Sequence, residues 1–232
     1  MFCNQCEETI GNGCDKIGAC GKTPDVADKQ DELINLLKEI SLLSKDDDEK
    51  VDKFIVDSLF ATITNANFNP EDFDKRLDEA KSFRNNFEGE ITPIKDDVDQ
   101  ESLKQILLYG LKGLAAYAHH AYVLGYKDAA IFDFTKEALS ATIENKSIDE
   151  LVGLVLKCGE IGVTTMALLD KANTEKFGNP EVTHVKLGVG SKPGILISGH
   201  DLNDMKQLLE QTKDSGVDVY THSEMLPGQY YP

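Results

Sequence analysis

The chain has 232 residues, enough for one large domain or two smaller ones with a buried core. Its formal net charge of −17 and its lack of a long uncharged apolar run argue against nucleic-acid binding, anionic membrane surfaces and membrane spanning. The acidity is that of a soluble protein, and the chain opens Met-Phe-Cys-Asn, without the basic and apolar regions of a secretory leader, so a reducing, cytoplasmic location is expected.

The first 22 residues hold four of the five cysteines, Cys3, Cys6, Cys14 and Cys20, in a C-x2-C-x7-C-x5-C pattern threaded with Gly11, Gly13, Gly18 and Gly21. Three chemistries fit such clustering. Disulfides need an oxidising compartment, which the opening of the chain does not suggest. A structural zinc site usually draws on two tight C-x2-C pairs, whereas the second pair here is five residues apart. An iron–sulfur cluster is larger than one ion and takes thiolates from several directions, which a C-x2-C pair and looser glycine-rich arms can supply. The spacing is not that of the ferredoxin run.

Downstream, Thr23-Pro24 reads as an N-cap and first helical position, and Val26, Leu33, Ile34, Leu37 and Ile40 mark the apolar face of the helix. The acidic run 46–49 opens a second helix carrying Val51, Phe54, Ile55, Leu59 and Ile63, and Asn69-Pro70 caps a third with Phe73, Leu77, Ala80 and Phe83 inside. A second set of three helices follows. Residues 101–124 place Leu103, Ile106, Leu107, Leu111, Leu114 and Ala118 at core spacing, with Gly125 as C-cap, and Gly110 and Gly113 would admit a close neighbour. Asp128 starts the next helix, and Ser147 with Glu150 forms a capping box that opens the last, running toward Gly178. His119 and His120 point about 100° apart on one helix and read as packing or surface histidines; Cys158 reads as a small buried hydrophobe.

Near Pro180 the pattern changes. Residues 194–198 are a short apolar strand, 201–215 a helix with Leu202, Met205, Leu208 and Leu209 inward, and 217–220 a second strand, which together make one βαβ unit. Gly188-Val189-Gly190 precedes the strand instead of joining it to its helix, so a dinucleotide fingerprint is rejected. His200 follows the first strand and Glu224 the second, and ligands bind beyond the carboxyl ends of parallel strands. A metal site there and simple loop roles are both open to these two residues. The expected fold is therefore mostly α: a cysteine-rich segment (1–24), two three-helix bundles (25–92 and 93–180), and one βαβ unit of a parallel α/β sheet (181–232).

The opening Cys3-Asn4-Gln5-Cys6-Glu7-Glu8-Thr9 with Cys14 and Cys20 resembles that of the hybrid cluster proteins, also called hydroxylamine reductases or prismane proteins. Lys112-Gly113-Leu114-Ala115-Ala116-Tyr117-Ala118, Ala167-Leu168-Leu169-Asp170-Lys171-Ala172-Asn173, Gly194-Ile195-Leu196-Ile197-Ser198-Gly199-His200-Asp201-Leu202 and Tyr220-Thr221-His222-Ser223-Glu224-Met225-Leu226-Pro227 are similar to that family too. The resemblance implies that the bundles form one helical domain and that residues 181–232 are the first βαβ unit of an incomplete Rossmann-like α/β domain; it further implies a [4Fe-4S] cluster on Cys3, Cys6, Cys14 and Cys20, relaying electrons to a hybrid iron–sulfur–oxygen cluster for which His200 and Glu224 would be two ligands. It implies reduction of hydroxylamine to ammonia and water, with nitric oxide as a further substrate, under anaerobic conditions. With no nicotinamide or flavin motif in view, a separate electron-donor protein is expected.

Against that family the chain ends at Pro232, less than half way along a full-length member. The remaining hybrid-cluster ligands, further cysteines with a glutamate and a lysine, would belong to a C-terminal portion, and this chain alone would be inactive. The competing expectations are a non-catalytic [4Fe-4S] electron-transfer or interaction module and a zinc-clamped helical protein.

Overall fold

The computed structural model describes residues 1–9, 11–44 and 48–232, so Asp46 and Asp47 of the expected acidic helix opening lie outside the described residues. Mostly helical, it contains seven α-helices, one 3-10 helix and two strands among these residues. The chain divides into two compact units, one of Met1–His119 with Asp128–Met166 and one of His120–Lys127 with Ala167–Pro232.

In the first unit the helix boundaries follow local chemistry. α1 (Pro24–Leu43) is capped by the Thr23 hydroxyl, which accepts from Val26 N, and Pro24 stands at its first turn. α2 (Glu49–Ala61) is capped by Asp48 and α3 (Pro70–Asn85) by Asn69, each side chain accepting the N–H two residues on. Ile63, expected inside the second helix, lies past its end, because the chain turns at Thr62. α1 packs on α3 and on α5 (Ala129–Ala141). Leu33, Leu37, Phe73 and Ala80 are fully buried there, and Phe54 and Phe83 meet with ring centroids 5.1 Å apart. Each such Leu or Phe contributes about 1.5–3 kcal/mol by leaving water.

α4 (Val98–Val123) begins earlier than its apolar pattern suggests. Asp97 accepts from the N–H groups of Asp99 and Gln100 (3.0 and 2.8 Å), while its own N–H donates to Gln100 Oε1 at 3.0 Å. This reciprocal cap starts the helix ahead of its first apolar residues. Leu107, Leu111, Leu114 and Ala118 are buried as expected; Ile106 is not, being 53% exposed. α6 (Ile148–Phe177) opens on the expected Ser147/Glu150 box and meets α4 at Gly110, where a Cβ would stand 2.9 Å from Cys158 Sγ. Ile106 lies on the rim of the apolar cleft there, with Cys158 buried on its wall. By length and composition α6 is long and apolar enough to cross a bilayer, although its longest uncharged run, between Glu160 and Asp170, is nine residues. Leu151, Ile161, Thr165 and Ala172 along it are buried inside the protein.

The second unit contains the βαβ element. β1 (Gly194–Ser198) and β2 (Asp218–His222) are parallel, with Ser198 opposite His222, and α7 (Leu202–Thr212) joins them. α7 is shorter than expected. Asp201 is its N-cap, and Leu202 is buried, whereas Leu209, two turns further along the same face, is 46% exposed. The 3-10 helix Ser223–Tyr230 follows β2 and packs on both strands and on α7.

Candidate functional site

The N-terminal segment is irregular, yet it is fixed at defined points. Cys3 and Cys14 exchange both backbone hydrogen bonds (3.0 and 2.8 Å), an antiparallel bridge that sets their Cα atoms about 5.5 Å apart with both side chains on one face. Thr9 N donates to Cys6 O at 3.3 Å, turning the chain just after the C-x2-C pair. Gly18 N donates to Lys22 O and Gly21 N to Gly18 O, both at 2.8 Å, a tight turn around Cys20. Gly18 allows a close approach there: a Cβ would stand 3.1 Å from Cys20 Sγ and from Lys22 N.

Two long-range bonds then tie the segment to the helices. The Tyr109 hydroxyl on α4 donates to Asn4 Oδ1 at 2.7 Å, and Lys22 Nζ donates to Gln30 Oε1 on α1 at 2.6 Å. Cys3, Cys6 and Cys14 are half-buried, Cys20 is exposed, and all carry free thiols. Among the described residues no three His, Cys, Asp or Glu side chains converge as they would on one ion. A cube of iron and sulfide spreads its thiolates wider than a single ion does, and four free thiols on a pinned, glycine-threaded segment match that donor set.

Behind Cys3 lies a polar cleft of about 310 Å³ whose walls include Asn4, Asp31, Lys38, Tyr109 and Lys112. Burial pushes the Lys38 ammonium down and the Tyr109 phenol up, the latter with help from the neighbouring Cys3.

In the second unit the equal offsets of His200 and Glu224 from paired Ser198 and His222 bring both side chains to one sheet edge, with His200 Nδ1 3.8 Å from Glu224 Oε2. Both are exposed, at 54% and 78% of their side-chain area. Gly199, at φ +127°, makes the turn that delivers His200, a conformation other residues rarely adopt. Ser223, at φ +53°, makes the corresponding turn after β2, and Met225, 1% exposed, anchors the chain next to Glu224.

The sequence reading missed two neighbours of this pair. His120 packs its ring edge-on to His200 with centroids 5.4 Å apart, and its Nδ1 lies 3.8 Å from Asp201 Oδ2. Burial and the adjacent Asp201 push the Asp204 carboxyl up, against the pull of His120 and His200. His119 turns elsewhere, with its Nδ1 2.6 Å from Asp57 Oδ1 and its ring against Phe60. The divergence of the two histidines was legible from helix geometry. What His120 would face was not, since His200 is far away along the chain.

The model of the Prismane/CO dehydrogenase family matches residues 1–232. The chain is 49% identical to a hydroxylamine reductase of Clostridium novyi (strain NT), 46% to one of Natranaerobius thermophilus and 45% to one of Methanosarcina mazei. Each alignment covers 100% of this chain and 50% of the relative, so the chain spans about half the length of the curated relatives it matches.

Proposed function

Because the chain belongs to the Prismane/CO dehydrogenase family, we propose that it is the N-terminal part of a cytoplasmic iron–sulfur oxidoreductase that reduces hydroxylamine to ammonia and water, and nitric oxide as a further substrate. The observation that carries this reading is identity of 45–49% to hydroxylamine reductases along the whole chain. In the reaction the N–O bond breaks, two electrons and two protons are taken up, and the electrons come from a separate donor protein.

Cys3, Cys6, Cys14 and Cys20 would hold a [4Fe-4S] cluster, which supplies one-electron storage when bound. The Cys3–Cys14 bridge fixes the spacing of two of these ligands, and the bonds to Gln30 and Tyr109 keep the segment seated on the helices. His200 and Glu224 would contribute an imidazole and a carboxylate to a hybrid iron–sulfur–oxygen cluster, a donor pair suited to an iron that leaves sulfide coordination and opens toward substrate. His120 is a positioning residue: its edge-on contact restricts the His200 ring. The remaining ligands would come from the C-terminal half of the enzyme.

A second reading is a non-catalytic [4Fe-4S] electron-transfer or interaction module, favoured by the exposure of His200 and Glu224. Oxidation of dithionite-reduced methyl viologen separates the two. Addition of hydroxylamine to the anaerobically purified chain with its C-terminal half should oxidise two viologens per ammonia formed, and the chain alone should not respond. A cluster-loaded assembly that turns over no hydroxylamine would favour the module.

A further inference from the structure

Three lysines of the first unit are buried, and the protein treats them differently. Lys104, 4% exposed, places its Nζ on both Asp96 carboxylate oxygens (2.9 and 2.8 Å) and on Glu144 O at 3.0 Å, the expected treatment of a buried cation. Lys22 and Lys112 are buried more deeply still, at 1% and 2%. Lys22 donates to the neutral Gln30 Oε1 at 2.6 Å, and Lys112 to the Thr62 carbonyl at 3.3 Å, with its Nζ 6.0 Å from the Tyr109 ring centroid. Among the described residues neither ammonium has a carboxylate within ion-pair distance.

Burying a cation without a counterion costs several kcal/mol, so such groups are rare unless an anion faces them. Burial, and then the proximity of Lys22, push the Lys112 ammonium down to about 8, while Asp31 and Cys3 act in the opposite direction without offsetting them. The two cations therefore repel each other, and Asp31, whose carboxylate acts on both, makes an ion pair with neither. Lys112 thus lines one cleft with Cys3 and Asp31, and Lys22 stands beside Cys20 along the chain. A thiolate-ligated iron–sulfur cluster is a multiply charged anion, and its reduced form carries one negative charge more, so nearby cations stabilise reduction.

We propose that Lys112 and Lys22 are the buried countercharges of the cluster on Cys3, Cys6, Cys14 and Cys20, and that they raise its reduction potential. This rests on the cluster assignment of the proposed function and adds to it a fixed electrostatic device, Lys112 on α4 and Lys22 just ahead of α1. The same lysines make the cluster-free protein carry an uncompensated charge, so metal loading and stability are coupled.

The test compares wild type with Lys112→Met, which keeps the stem and removes the charge, and with Lys112→Arg, which keeps the charge. Spectroscopic redox titration of the anaerobically purified, iron-loaded protein should show that Lys112→Met lowers the equilibrium constant for one-electron reduction at least tenfold, a fall of about 59 mV, while Lys112→Arg stays near wild type. In the iron-free protein the sign reverses: Lys112→Met should melt at or above the wild-type temperature, because it removes a buried ammonium. An unchanged potential in iron-loaded Lys112→Met overturns the proposal, as does an equal fall in Lys112→Arg. Failure of iron-free Lys112→Met to fold also overturns it, since the ammonium would then be satisfied by the protein alone. Absence of iron and sulfide from wild type would instead remove the cluster assignment, and the melting comparison would still report whether Lys112 is uncompensated.

Discussion

Cys14→Ser is expected to strip the N-terminal segment of its iron, leaving a folded helical protein without the brown colour and charge-transfer absorption of an iron–sulfur cluster. A serine hydroxyl is not ionised at neutral pH and is a poor ligand for iron bound to sulfide, so one lost thiolate opens the cage. The substitution should spare the fold, because the Cys3–Cys14 bridge is made by backbone atoms and the buried apolar core is built by the helices. Iron analysis and absorption spectra of the anaerobically purified variant check the first part, and circular dichroism the second. Cys158→Ser is the control. Cys158 lies buried between α4 and α6, where burial pushes its thiol up and away from thiolate character. Its loss should leave the iron unchanged, and a protein that loses iron equally in both variants would argue that the four early cysteines are not the ligand set.

His200→Ala should abolish hydroxylamine turnover by the assembled enzyme, by at least about 100-fold, while leaving the N-terminal iron in place. The two effects separate because the early cysteines belong to one compact unit and His200 to the other. Glu224→Gln should behave in the same way, since a neutral amide replaces an anionic donor. His120→Ala should cost less, about 10–100-fold, because it orients a ligand without being one. Initial rates from viologen oxidation, with iron content measured on the same samples, check all three. Full activity in His200→Ala would return His200 and Glu224 to the role of exposed loop residues, and the electron-transfer module would become the better account.

The features that were legible in the sequence are those with short-range causes. Thr23-Pro24, Asn69-Pro70 and the Ser147/Glu150 box set helix starts through contacts within a turn, and the structure begins helices at each. The equal offsets of His200 and Glu224 from their strands follow from parallel pairing, so their shared edge could be read before the register was known. Apolar periodicity was less informative where the opposing surface was unknown: Ile106 and Leu209 lie on apolar faces yet remain exposed. Contacts made over long separations were not legible at all. Nothing local ties Tyr109 to Asn4, or His120 to His200. Lys112 did leave a trace, a charged residue four positions after Leu108 and three before Ala115, both on the buried face of α4; only the structure shows that it is buried without a carboxylate partner.

The central claim is that four thiols at the start of this chain hold an iron–sulfur cluster. The most direct measurement is iron and acid-labile sulfide per chain after strictly anaerobic purification, with the intact mass of anything that co-purifies. The account predicts about four irons and about four sulfides on the chain alone, rising to about seven or eight irons when the C-terminal half is present to complete the second centre. A colourless protein carrying one zinc per chain and no sulfide would contradict it, and would make the cysteine segment a structural clamp.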